Sequence, residues 1–151
     1  MIRGVSFQIP QETSNMLWQI LKCVDTEKYH WYNIKSQNEV WDSSHTNGFF
    51  ALDYYAGKHF SELICLNHYI LFIKLQAYIE KNEFYDIHSY EEFIQSNCQI
   101  LILVYDCEYV EIYTKDLDIT NALYRNAFNQ GFTEVEYITE INDNRTKIDI
   151  L

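Results

Sequence analysis

Cysteine, histidine and the carboxylates are the side chains that attack, carry protons or hold metals, and in this sequence they stand apart. Cys107 is the best-placed nucleophile. It follows the apolar run Ile100–Val104 at a bend, where reactive groups are often presented, and Asp106 stands beside it. His88, just ahead of a capped helix, is the base that would have to reach it. Cys107, His88 and Asp106 therefore mark one possible pocket, that of a small enzyme or a ligand-binding protein. No local catalytic-cysteine signature accompanies them, and a small buried thiol and a polar helix-leading residue explain them better. Asp106 and Glu108 lie two apart and would share a strand face, as an acid–base pair requires. Among 22 acidic residues such a pair arises by composition alone.

Metal ligation is no better supplied. His30, His45, His59, His68 and His88 contain no i,i+4 pair, and Cys23, Cys65, Cys98 and Cys107 form no CxxC. Neither a structural zinc site nor a thioredoxin-like redox pair is expected, and no metal or cofactor is assigned. Glu134, Glu136 and Glu140 share one face of a predicted strand. Such a row can hold a hard cation, or it can be the solvated face of an edge strand, where like charges discourage sheet-to-sheet pairing. With four glycines in all, the phosphate loop, the Rossmann fingerprint, the nucleophile elbow and HExxH are absent. Loops that cradle phosphate need several glycines to bring backbone N–H groups close.

The elements that must position these residues belong to a chain of 151 residues, read as a single α+β domain over 1–151. Val5, Phe7 and Ile9 alternate in a first strand stopped by Pro10. Met16, Leu17, Ile20, Leu21 and Val24 then make the apolar stripe of a helix, with Trp18 also assigned to the core. Strands are predicted at 29–34 and 49–52, with the turn-rich 42–48 between them as the most mobile loop. Phe60, Leu63, Ile64 and Leu66 suggest a short helix before a long strand through 70–79. Ser89 and Glu92 form a capping box. The run 100–105 reads as a central strand covered on both faces. It turns at Asp106-Cys107 into 109–114, with Val110 and Ile112 inward and Tyr109, Glu111 and Tyr113 outward. Asp116 and Gly131 bracket a helix carrying Ile119, Leu123 and Ala127. Two last strands are expected, one through Val135, Tyr137, Thr139 and Ile141 and one through Ile148 and Ile150. The expected architecture is a mixed, largely antiparallel sheet of about six to eight strands, with three to four helices packed on it.

Charge narrows the partners. Eleven Lys and Arg against 22 Asp and Glu give −11, too few cations for a basic stripe, so nucleic acid and anionic membrane are not expected partners. No apolar run approaches the roughly 20 residues of a membrane span, and the N-terminus lacks a secretory core, so a cytoplasmic protein with reduced thiols is expected. Thirteen Tyr, 9 Phe and 3 Trp exceed what a core of this size readily hides. Exposed tyrosine gives large contact area at low entropy cost, so an interaction surface is expected at Tyr109, Glu111 and Tyr113, with Glu134, Glu136 and Glu140 steering a basic partner, the alternative being that a helix of the same chain packs over the tyrosines. The function expected is a non-catalytic protein-interaction module, binding a protein partner or itself, with an immunity-protein or antitoxin role as an analogy only.

The blocks Gly4–Pro10, Ser89–Phe93, Cys98–Cys107, Tyr109–Tyr113 and Phe132–Thr139 resemble a small family of uncharacterised bacterial cytosolic proteins, a domain of unknown function. The resemblance runs over nearly the whole chain. It implies one bacterial cytosolic domain and carries over no activity, cofactor or site residue.

Overall fold

Alternating apolar residues build the first strand, β1 (Ile2–Gln8), and its partners settle where the rest of the sheet must lie. A computed structural model describes residues 1–150. After β1 come α1 (Met16–Leu21), β2 (His30–Asn33), β3 (Glu39–Trp41), β4 (Tyr54–Tyr55), α2 (Gly57–Leu63) and β5 (Tyr69–Tyr78). The second half holds α3 (Tyr90–Gln95), β6 (Cys98–Tyr105), β7 (Tyr109–Thr114), α4 (Leu117–Gln130) and β8 (Thr133–Thr139). The strands form one open sheet in the order β4-β2-β5-β6-β7-β1-β8, with β3 added alongside β5. Every strand pairing is antiparallel. The α+β reading therefore holds, with eight strands and four α-helices among the described residues.

Strand periodicity divides the side chains between two cores. On one face Val5, Phe7, Trp31, Leu75, Ile102 and Ile112 pack beneath α1, α2 and α4. On the other, Leu101, Leu103 and Tyr113 join Tyr78, Phe93, Ile138 and Ile148. The central strand β6 is thus buried on both sides, and the chain supplies both covers itself. The second cover is α3 together with the terminal segment 143–150. Caps act as the sequence implies. Ser89 accepts from the Glu92 N–H, Asp116 from the Asp118 N–H, and Gly131 ends α4 at φ 82°.

Four expectations need correction. Residues 49–52 form no strand: Phe49 and Phe50 turn their rings into an aromatic cluster, and the strand begins at Tyr54. Ile148 and Ile150 add no strand either. Side chains and the His88 carbonyl, which accepts from Ile148 N–H, take the place of a ladder. Trp18 lies at the surface instead of in the core, and Leu66 falls beyond the end of α2 at Leu63, exposed. The outward assignment of Tyr113 also fails, because that face of β7 is covered and the residue is fully buried.

Candidate functional site

The second face of β1, β7 and β8 opens into a groove of about 410 Å³. Four of the six residues expected at an interaction surface line it: Tyr109, Glu111, Glu134 and Glu136. Strand alternation explains the convergence. Glu134 and Glu136 point away from Val135 and Tyr137, which pack against the α4 side, where Tyr137 stacks on Tyr124. Glu134 reaches its position through a left-handed backbone, φ 53°, at a register shift between Ser6 and Gln8. The remaining two residues lie elsewhere. Tyr113 is sealed beneath the terminal segment, its hydroxyl donating to Asp143 at 3.2 Å, and Glu140 pairs with the amino group of Met1 at 2.8 Å.

One cation is already seated in the groove. Arg145 makes a two-pronged contact with Glu111, Nε–Oε1 and Nη2–Oε2 both 3.0 Å, and its guanidinium lies 5.2 Å from the Tyr105 ring centre. Tyr105 stacks on Tyr109 at 5.2 Å between centroids. Burial, then the Glu111 carboxylate, pushes the Tyr105 phenol up to about 12, so it stays a neutral donor. Glu134 and Glu136 have no cationic partner among the described residues. The arrangement can therefore take a further cation between carboxylates and aromatic rings; Ser6, which also lines the groove between Glu111 and Glu136, makes no side-chain hydrogen bond among the described residues.

A second polar cluster lies beneath the terminal segment. Lys74, fully buried on β5, donates to Asp86 Oδ1 and Asp149 Oδ1 at 2.8 Å and to the Ile87 carbonyl at 2.5 Å. His88 Nδ1 meets Asp149 Oδ2 at 2.9 Å. Burial raises the Asp149 carboxyl, but the bonds from Lys74, Gln37 and His88 outweigh it and hold the group down at about 2. Asp86, His88 and Asp149 offer ligand atoms within 4.8 Å of one another. The Lys74 ammonium sits on both of those carboxylates, so a metal ion would have to displace it.

Cys107, His88 and Asp106 share no hydrogen bond, and none of the described cavities is lined by more than one of them. The crevice beside Cys107, against Ile9, Pro10, Met16 and Ile70, has no room for a water molecule. Sequence reasoning missed Arg145, Tyr105, Lys74 and Asp149. Of these Lys74 left a trace, a lone lysine inside the apolar stretch Leu71–Leu75 that had to find carboxylates.

No helix among the described residues is long and apolar enough to cross a membrane. The family model described as "Protein of unknown function (DUF2691)" matches residues 2–149. The uncharacterized protein YncE of Bacillus subtilis (strain 168) is 35% identical over 153 residues, spanning 99% of this chain and 100% of that protein. No solved structure matches the chain.

Proposed function

The chain belongs to the DUF2691 family, and from that premise we propose that it is a non-catalytic interaction module whose working surface is the groove of β1, β7 and β8. The observation that carries this reading is the convergence of Tyr109, Glu111, Glu134 and Glu136 on one groove in which Arg145 satisfies only Glu111. The partner is a protein presenting a basic side chain, best an arginine, whose planar guanidinium can pair with carboxylate and stack on tyrosine at once. A second copy is the weaker candidate, since two chains of net charge −11 repel.

An acetylated, amidated peptide of Arg-Gly-Gly repeats tests the reading by amide NMR titration. Shifts should centre on β1, β7 and β8, and the double variant Glu134→Gln/Glu136→Gln should weaken Kd about tenfold, as the loss of roughly 1.4 kcal/mol would. Tyr109→Ser should weaken it as well. Shifts spread over the whole surface, with Kd indifferent to these changes, would refute the assignment.

A further inference from the structure

We propose that Glu134 is the residue that recognises the basic partner, its side chain aimed into the groove by a strained backbone kept for that purpose; the inference rests on the groove reading above. Among the described residues, four other than glycine have a positive φ. His45 lies in the 42–48 loop. Asp106 and Cys107 form the two-residue turn between β6 and β7, which demands the left-handed region at both positions. Glu134, at φ 53°, is the one inside a strand. It stands at a bulge: between the pairs Ser6–Glu136 and Gln8–Thr133, the single residue Phe7 of β1 faces both Glu134 and Val135 of β8.

Packing accounts for the bulge but not for the residue that occupies it. Strict alternation from Val135, which packs on the α4 side, would carry Thr133 to the core and Phe132 to the groove face. The extra residue reverses this, so that Thr133 is exposed and Phe132 is buried, stacked on Phe7 at 5.4 Å between ring centres. That requires only a residue tolerant of the left-handed region. Glycine takes it without strain, as Gly131 does at φ 82°, whereas a Cβ is penalised there. The glutamate side chain contributes nothing to the fold, being exposed and without a hydrogen bond or ion pair among the described residues. Its use therefore lies outside the chain. Glu136 shares a cross-strand row with Ser6 and Glu111, whose carboxylate already holds Arg145 at 3.0 Å. Glu134 stands beyond that row, toward Gln8 and Tyr109, so a second cation meets its least screened carboxylate there.

Three single variants, Glu134→Gly, Glu134→Gln and Glu136→Gln, test this by thermal unfolding and by amide NMR titration with the acetylated, amidated Arg-Gly-Gly peptide. Both changes at Glu134 should weaken Kd about fivefold, and Glu136→Gln only about twofold. Glu134→Gly should also raise Tm by about 3 °C over Glu134→Gln, which removes the same charge but keeps the strained backbone. A stabler protein that binds less well is the signature of strain kept for recognition. An undiminished affinity in Glu134→Gly, or a larger loss in Glu136→Gln, overturns the inference while leaving the groove as the binding surface. A Tm of Glu134→Gly no higher than that of Glu134→Gln overturns it too, since the backbone would then carry no strain. No binding of the peptide by the unaltered protein overturns this inference and the groove reading together.

Discussion

His68 shows how much one buried ring can decide. It is fully buried, its Nε2 accepts the Leu17 N–H at 3.1 Å, and its Nδ1 meets the Leu66 carbonyl at 2.7 Å, which fixes a neutral ring protonated at Nδ1. Burial lowers its pKa from 6.5 to about 4, against the opposing pull of the Leu66 carbonyl. The unfolded chain therefore takes up a proton at a higher pH than the native one, and stability drains away as pH falls from about 6.5 to about 4. At about 1.4 kcal/mol per unit the loss approaches about 3 kcal/mol. Asp149 acts in a lower window. Its carboxyl is held near 2 against 3.8, so the stability it contributes is present above 3.8 and is lost as pH falls toward 2. Urea unfolding at successive pH values should show both stages. His68→Gln should flatten the upper one, and Asn in place of Asp149 the lower one, whatever each change does to stability at pH 7. An unaltered profile in His68→Gln would show that this ring is not what titrates.

Among the elements, two glycines separate space from conformation. A Cβ on Gly4 would stand 1.9 Å from the Ile112 carbonyl oxygen, backbone of the neighbouring strand β7, so Gly4→Ala should cost about 3 kcal/mol by forcing β1 and β7 apart. Gly131 has open space around it and a φ of 82°, so Gly131→Ala should cost only about 1 kcal/mol, the price of a left-handed alanine. Equal losses in urea midpoints would contradict that division. The elements that could be read in the sequence are those whose signal is local. The β6 run, the Ser89 and Asp116 caps, the Gly131 terminator and the hairpin at Asp106-Cys107 each need only neighbouring residues to declare themselves. What could not be read depends on contacts distant in sequence. Tyr113 sits on a face that periodicity marks as outward, and it is buried by α3, through Tyr90 and Phe93, together with the terminal segment, 30 positions away at Asp143. The groove was half legible for the same reason: alternation grouped Glu134 with Glu136, but no local pattern announces that Arg145 folds back onto Glu111.

Across the whole molecule, that terminal segment turns an open sheet into a two-sided one, and charge does most of the fastening. Asp143 takes Arg3 at 3.1 Å and the Tyr113 hydroxyl, Arg145 takes Glu111, and Asp149 takes buried Lys74, while Ile148 is the main apolar anchor. Exposed pairs contribute little, but Lys74 is fully enclosed, and removing its ammonium leaves two carboxylates facing each other without a cation. Met in its place keeps the length of the side chain and the apolar packing, so Lys74→Met isolates the charge. Stability should fall by about 3 kcal/mol, and amide exchange at 145–150 should quicken well before the strands exchange, because the segment loses its hold before the sheet does. The groove should feel the same change, since Arg145 is carried on that segment, and binding of the arginine peptide should weaken without any alteration to the residues that line the groove. Uniform exchange throughout Lys74→Met would instead mean that the segment and the sheet unfold as one unit, with Ile148 and not Lys74 as its fastening.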